Sequence, residues 1–539
     1  MKTSRKIFFF LIGLLAPMLV SSQTNGGKPI GDEEIDIVKP YQPLLADAVK
    51  ISFEATLPEA DSSTENYQYL IQPKLFSLPY TPPKLKAVAM VKEPTTPLQN
   101  QYIKIGGGTQ FTRLAEISLH NGRDKESSYG ALIHFLAMNG GYDYQQFDDA
   151  TVNLFGKKIF KNNELSGNID FSHRNFYFYG LAHSDSVISK NDLKQTFTGF
   201  GLNGSLAQFR KQKNGFDYRV DGSYKFFSSR NAHESNAGLS AAFSKSFYKI
   251  HSAHLDFAMQ YDDMKDDSTH TAYIVSPSLY YKLTQKNFYI VAGIASSIDD
   301  GGFHIYPWFD SEKSIVGSIV IFYAGWKGWM KSNFLQEMSE SNNFLANNPN
   351  LQRSRMEDRY TGIRGSYGNH FSYNLRFGQV IERNAPLFIN DSSDRSKFRI
   401  VYDSKISAFN FHSELGWKST EKFQSHLMLD YHENETESEK YAWHVPALMV
   451  TLDANYQIGK KLTLKGEIFS WSNSKAKINY NSTVTNAGTF DLNFAVAFHI
   501  SSSVSAFANF NNILNKHWSR YYGYPGFGFN GVAGFSWGF

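Results

Sequence analysis

The chain has 539 residues, of which 42% are hydrophobic, 16% aromatic and 19% charged, and it has no cysteine. That composition excludes disordered, collagenous and coiled-coil chains, and the absence of cysteine excludes disulfides, thiolate-held zinc or iron–sulfur clusters and a cysteine nucleophile. The formal net charge is +4, but three of the cations (Lys2, Arg5, Lys6) sit in an N-terminal leader, leaving 51 basic against 50 acidic residues. A nucleic-acid partner therefore finds no electrostatic footprint.

Residues 1–22 place those three cations before an apolar run from Ile7 to Val20, followed by small residues with Val20 and Ser22 at cleavage-site positions. This pattern reads as a secretory signal peptide. It is too short for a membrane helix, which needs about 20 apolar residues.

Residues 23–100 hold ten of the 17 prolines. Proline lacks an amide donor and interrupts helices and ladders alike, so this stretch reads as extended. Its apolar pieces, Ile35 to Ile51 and Tyr69 to Tyr80, are too greasy for a free linker and mark it as an arm that docks.

From residue 101 onward proline nearly disappears and alternation takes over. Phe216, Tyr218, Val220, Tyr224 and Phe226 oppose Asp217, Arg219, Asp221, Ser223 and Lys225. The same period recurs in Leu165 to Ser172, Ala253 to Asp262, Leu452 to Ile458 and Phe490 to Ile500. A period of two gives each strand one apolar and one polar face. The segments run about 10 to 14 residues, longer than soluble strands and matched to a tilted bilayer crossing. Many end in short polar turns, such as Gln285-Lys286-Asn287 and Gly459-Lys460-Lys461. Since lipid offers no water to unpaired backbone groups, strands can cross a bilayer only as a closed barrel. The fold expected is all-β: a transmembrane antiparallel β-barrel over residues 101–539. Its strand number should be even and about 22, within a range of about 16 to 22, with both ends periplasmic.

The polar faces assign Asp217, Arg219, Asp221, Lys225, Asp256 and Glu467 to the lumen, where mixed charge favours cross-strand ion pairs over ion selectivity. Tyr306, Trp308, Trp326, Trp329 and Trp471 suit interfacial girdles. Ser339 to Asp358 reads as an extracellular or lumen-plugging loop. Gly106-Gly107-Gly108 reads as a strand entry. His251 and His254, close to Asp256, suit an interfacial or lumen position better than a metal site. There is no Gly-x-Ser-x-Gly, Walker or His-Glu-x-x-His motif, so the chain reads as a non-enzyme with no cofactor and no metal.

The chain closes on FNGVAGFSWGF, with Phe529, Gly531, Ala533, Phe535, Trp537 and Phe539 on one face. A final strand must offer its edge until the barrel closes, and Phe535, Trp537 and Phe539 are the residues assigned as the signal read by the barrel-assembly machinery through strand pairing. The run Phe507 to Phe539 resembles the closing strands of TonB-dependent receptor barrels. The matching residues are Asn512, Asn515, Lys516, Gly523, Tyr524, Pro525 and Gly528, while Phe529 stands where that family often has arginine. Tyr102 to Leu119 is similar to the opening of large barrels of the Bacteroidota type. The resemblance spans 101–539 and implies an outer-membrane barrel of a Gram-negative cell, embedded in lipid, that moves a solute. It has no classical plug pattern in residues 23–100, which reads instead as a periplasmic arm or reduced plug. Within that arm Ile35, Asp36, Ile37 and Val38 resemble a TonB box, which would engage a TonB-type coupling protein as an added strand. The alternative is a non-transporting accessory barrel that docks periplasmic or surface proteins in outer-membrane assembly or secretion.

Overall fold

The computed structural model describes residues 101–539 except 123, 125, 181–188, 210–214, 347–349, 421 and 480–481. The leader, the proline-rich arm and the Ile35 to Val38 segment lie outside the described residues.

Within the described residues twenty-four strands follow one another. The first eight are β1 (Gln101–Gly108), β2 (Arg113–His120), β3 (Ser127–Asn139), β4 (Gln146–Phe160), β5 (Asn163–Tyr177), β6 (Lys194–Gln208), β7 (Phe216–Ser228) and β8 (His233–Phe247). Next come β9 (His251–Lys265), β10 (Thr269–Thr284), β11 (Phe288–Asp299), β12 (Gly302–Val316), β13 (Val320–Lys331), β14 (Ser354–Tyr367), β15 (Phe371–Asn390) and β16 (Phe398–Thr420). The last eight are β17 (Phe423–Thr436), β18 (Leu448–Ile458), β19 (Leu462–Trp471), β20 (Ser474–Lys477), β21 (Thr483–Asn486), β22 (Thr489–His499), β23 (Val504–Asn511) and β24 (Asn530–Gly538). Twenty-two of them form one antiparallel sheet of sequential neighbours, while β20 and β21 pair apart as a hairpin in the connection from β19 to β22.

The sheet closes on itself because β1 pairs with β24: Ile103 lies opposite Trp537 and Ile105 opposite Phe535. Gln101 and Phe539 complete this seam by exchanging two backbone hydrogen bonds of 3.0 Å. Closure leaves no open edge, as lipid requires. Phe535, Trp537 and Phe539 stand on the outer surface, with Phe535 63% exposed. Gly106-Gly107-Gly108 ends β1 rather than entering a strand, and a 3-10 turn follows. A Cβ on Gly108 would lie 1.9 Å from the Gly531 carbonyl oxygen, so backbone approach fixes glycine there.

The two rims differ. At the rim where β1 starts and β24 ends, connections are turns of a few residues, including 285–287 and 459–461. The opposite rim carries the long connections 178–193, 332–353, 437–447, 472–488 and 512–529. Outside, apolar side chains form a continuous belt: Leu279, Ile294 and Ile305 are 62%, 58% and 64% exposed. Such an exterior is costly in water and favourable in hydrocarbon. This is a multi-pass outer-membrane barrel.

The alternating segments read from the sequence coincide with β5, β7, β9, β18 and β22. The polar stretch from Ser339 divides. A helix, α1 (Leu335–Ser341), and a loop occupy its first part, but Ser354 to Asp358 already belong to β14. These residues stand where β14 nears the long-loop rim, and no apolar alternation marks them as a strand.

Candidate functional site: the inner wall and the closed mouth

The long connection after β13 identifies the inward face. Its helix α1 packs Leu335 against Phe176, Phe197, Phe227 and Met264 of β5, β6, β7 and β9. A connection leaving β13 reaches β7 only through the interior, so this face of the sheet points inward. The Glu234 carboxylate, on β8, accepts the amides of Leu335 at 2.9 Å and Gln336 at 3.4 Å. It thereby satisfies the helix N-terminus, whose first amides have no internal partner.

Of the six polar residues assigned to the lumen from sequence, Asp217, Arg219, Asp221 and Lys225 alternate in phase with Phe227 on β7. Asp256 alternates in phase with Met264 on β9. Arg219 Nε lies 2.8 Å from Asp221 Oδ1, and the Tyr280 hydroxyl donates to Asp256 Oδ2 at 3.0 Å. Glu467, on β19, accepts from Asn493 Nδ2 at 2.8 Å. The structure does not bring these six into one site, since β19 stands far around the ring from β7. His251 and His254 fall on opposite faces: His251 bonds the Tyr281 hydroxyl, and His254 stacks on Tyr280 at 4.7 Å. They share no site.

A denser constellation, which the sequence reading missed, lies on β10–β17. Trp308 stacks on Tyr280 at 5.8 Å. Lys327 Nζ lies 5.5 Å above the Trp308 ring and 3.4 Å from Asp310 Oδ1. The Tyr360 hydroxyl donates to Asp310 Oδ1 at 2.7 Å, and the Arg376 guanidinium covers the Tyr360 ring at 4.5 Å. Arg376 also reaches Asp358 at 2.6 Å, and His412 bridges Asp430 at 2.6 Å and Glu414 at 3.1 Å. Each charge meets an opposite charge, and the rings hold the long side chains down by cation–π contact. Tyr306 and Trp308 therefore correct the girdle assignment. Tyr306 is buried with its hydroxyl 3.1 Å from Ser297 Oγ, and Trp308 belongs to this network. Trp471 also leaves the girdle, packing edge-on to Trp518 at 5.0 Å. The available signal was alternation phase, which Tyr306 and Trp308 share with Asp310 and Glu312 on β12 and Trp471 shares with Glu467 on β19.

The long-loop mouth is bridged by aromatic side chains from well-separated connections. Phe178, Leu193, Phe398 and Tyr524 form a buried cluster, with Phe344, Phe388 and Tyr521 packed on it. Tyr524 stacks face to face on Phe344 at 3.4 Å and meets Tyr179 edge-on at 5.0 Å. The Asn-x-x-Asn-Lys and Gly-Tyr-Pro motifs build this. Asn512 and Asn515 take left-handed backbone (φ 49° and 51°), which asparagine tolerates better than most residues. Asn512 Nδ2 donates to the carbonyls of Lys516 and Phe527 at 2.7 Å each, and Asn515 Oδ1 accepts the Phe529 amide at 2.8 Å. These bonds tie the start of the last long loop to its end. Gly523 (φ 90°) turns the chain so that Tyr524 enters the cluster. The Pro525 carbonyl then accepts from Tyr179 at 2.9 Å and Gln145 at 2.8 Å.

Burial sets the protonation states of this knot. It pushes the Tyr179 and Tyr521 hydroxyls up to about 12 and holds that of Tyr524 well above its ordinary value. All three stay protonated donors at neutral pH, Tyr521 to the Ser341 carbonyl at 2.6 Å and Tyr524 to that of Ser396. His444, wedged between the Phe398 and Tyr521 rings at 5.4 Å, is pushed down to about 3 by burial and then by Arg520. Neither of its ring nitrogens has a hydrogen-bond partner among the described residues.

A closed 22-strand sheet with a greasy exterior, a charged inner wall and loops gathered at one rim defines the class as an outer-membrane β-barrel. No family model and no curated protein matches the sequence. Solved structures do match the fold. The ferripyoverdine receptor of the outer membrane of Pseudomonas aeruginosa, bound to ferripyoverdine, superposes with a TM-score of 0.63 at 12% identity, covering 82% of this chain and 72% of that one. The FrpB iron transporter of Neisseria meningitidis (F3-3 variant) gives 0.65 at 10% identity, covering 81% of each chain. The ferric-catecholate import receptor Fiu of E. coli K12 gives 0.62 at 9%, covering 82% of each. At such identities the likeness carries the fold alone.

Proposed function

We propose that this chain moves a solute across the outer membrane through its barrel, in the manner of TonB-dependent receptors. The observation that carries the reading is the polar, ion-paired inner wall beneath a mouth of gathered loops, on a fold similar to siderophore and iron receptors. In this reading Asp217, Arg219, Asp221, Lys225, Asp256 and Glu467 line the water-filled path. The leader exports the chain, Phe535, Trp537 and Phe539 guide barrel assembly, and Ile35 to Val38 engages a TonB-type protein. Conductance in planar bilayers, with and without residues 23–100, tests it. Current in either form supports transport, and silence in both refutes it.

The buried aromatic knot favours a second reading, an accessory barrel that docks surface or periplasmic proteins and conducts nothing. It predicts silent bilayers together with a stable co-purifying partner.

A further inference from the structure

Charge is segregated between the two rims. At the rim where β1 starts, the acids among the described residues of the short turns are Asp124 and Glu126, both between β2 and β3. The later turns of this rim carry Lys161, Lys249, Lys286, Lys422, Lys460 and Lys461. At the opposite rim the tight turns after β9 and β11 carry Asp266, Asp267 and Asp300 instead.

The lysines stand where the lipid belt ends. Two more lie on the outer face itself. Lys158 alternates in phase with exposed Leu154 and Phe160 on β4, and Lys313 with exposed Phe309 and Ile315 on β12. A Cβ on Gly156, between Leu154 and Lys158, would meet nothing within 4 Å, so this face is open. In the turns, Lys161 follows exposed Phe160, and Lys249 lies between Tyr248, 92% exposed, and exposed Ile250. Lys460 comes two residues after exposed Ile458. Every one of these lysines is itself exposed. Lys286 apart, none has a side-chain hydrogen bond, ion pair or ring contact among the described residues.

Their distribution identifies the partner. The cations recur on or just after β4, β8, β12, β16 and β18, which succeed one another around the closed ring. A docked protein or a free anion occupies one sector, whereas a lipid leaflet surrounds the whole circumference. Lysine suits this border, because its aliphatic stem lies along apolar surface while its ammonium reaches the polar side. Near a membrane surface each such cation gains about fivefold in affinity for anionic lipid.

We propose that the turn-rim lysines form a basic collar that gathers anionic phospholipid headgroups in the adjoining leaflet. The cysteine-free chain permits a local test. A fluorophore on Tyr248→Cys, beside Lys249, is read with the full chain in nanodiscs holding phosphatidylglycerol or phosphatidylcholine spin-labelled near the headgroup. Quenching should favour phosphatidylglycerol. Lys249→Gln should lower that preference about fivefold, and Lys249→Arg should retain it. Lys460→Gln with Lys461→Gln, on the far side of the ring, should leave it unchanged. Equal quenching by the two lipids, or a preference that survives Lys249→Gln, would overturn the proposal. So would an equal loss in the far-side variant, which would mark a diffuse effect of net charge. Displacement of the lipid by millimolar inorganic phosphate, marking a free-anion site, or by a soluble acidic peptide, marking a protein-docking surface, would overturn it too.

Discussion

Replacing Tyr524 by alanine should open the mouth of the barrel. Tyr524 is 3% exposed, stacked on Phe344 and edge-on to Tyr179, and its hydroxyl is bonded to the Ser396 carbonyl. Truncating a buried aromatic to alanine costs about 3–5 kcal/mol, which multiplies the open population of the loop knot by about 10² to 4 × 10³ at 1.4 kcal/mol per tenfold. Tyr524→Phe keeps the rings and removes one hydrogen bond, leaving a buried carbonyl unpaired at about 1–3 kcal/mol, so it should open the knot by about 5- to 100-fold. Single-channel recording in planar bilayers reads both. Opening frequency should rise from wild type through Tyr524→Phe to Tyr524→Ala. Wild-type recordings from Tyr524→Ala, in protein whose long loops have become sensitive to trypsin, would refute the reasoning, because the knot would then be loose without being the barrier.

Other consequences follow from the same contacts. His444 is neutral in the closed knot down to about pH 3, whereas a solvated histidine protonates near 6.5. Because the closed state's value is the depressed one, the knot has its full stability above about pH 6.5 and loses it as pH falls, by about 2 kcal/mol at pH 5. Trypsin should therefore cut the 437–447 loop faster at pH 5 than at pH 7.5, after correction for its own pH profile, and His444→Phe should abolish the difference. An unchanged pH response in that variant would contradict this. Glu234→Ala leaves two amides of α1 unpaired, at about 1–3 kcal/mol in all, and should expose the 332–353 loop to proteolysis, with Glu234→Gln intermediate. Gly108→Val forces a side chain into the Gly531 carbonyl at the seam, so the heat-modified electrophoretic shift of the barrel should occur at a clearly lower temperature. An unchanged shift temperature would argue that the β1–β24 contact is looser than described.

Sequence revealed the barrel wherever lipid imposes a rule. Phe216 to Phe226 and Phe490 to Ile500 alternate because one side meets hydrocarbon and the other polar surroundings, and β7 and β22 lie there. Where strands rise past the lipid the rule lapses. Ser354 to Asp358 therefore read as loop, and nothing local announced that β15 and β16 run to 20 and 23 residues. The inward aromatics failed for a related reason. Tyr306 and Trp308 have the chemistry of interface anchors, and only their phase with Asp310 distinguishes them. The knot was least legible. Its Tyr524 and Phe398 lie far apart in the chain, and the motif residues Asn512 to Gly528 marked a turn without showing what that turn plugs.

The account rests on which face of the wall meets lipid, and the cysteine-free chain allows a direct test. Single cysteines at Leu279, 62% exposed on the belt, and at Asp221, in phase with inward Phe227 on β7, are to be probed in outer-membrane fragments that leave both rims open to the reagents. A lipid-soluble maleimide should label Leu279→Cys, a charged membrane-impermeant one should label Asp221→Cys, and neither should label the other site appreciably. Equal reaction of Leu279→Cys with the charged reagent would contradict the account.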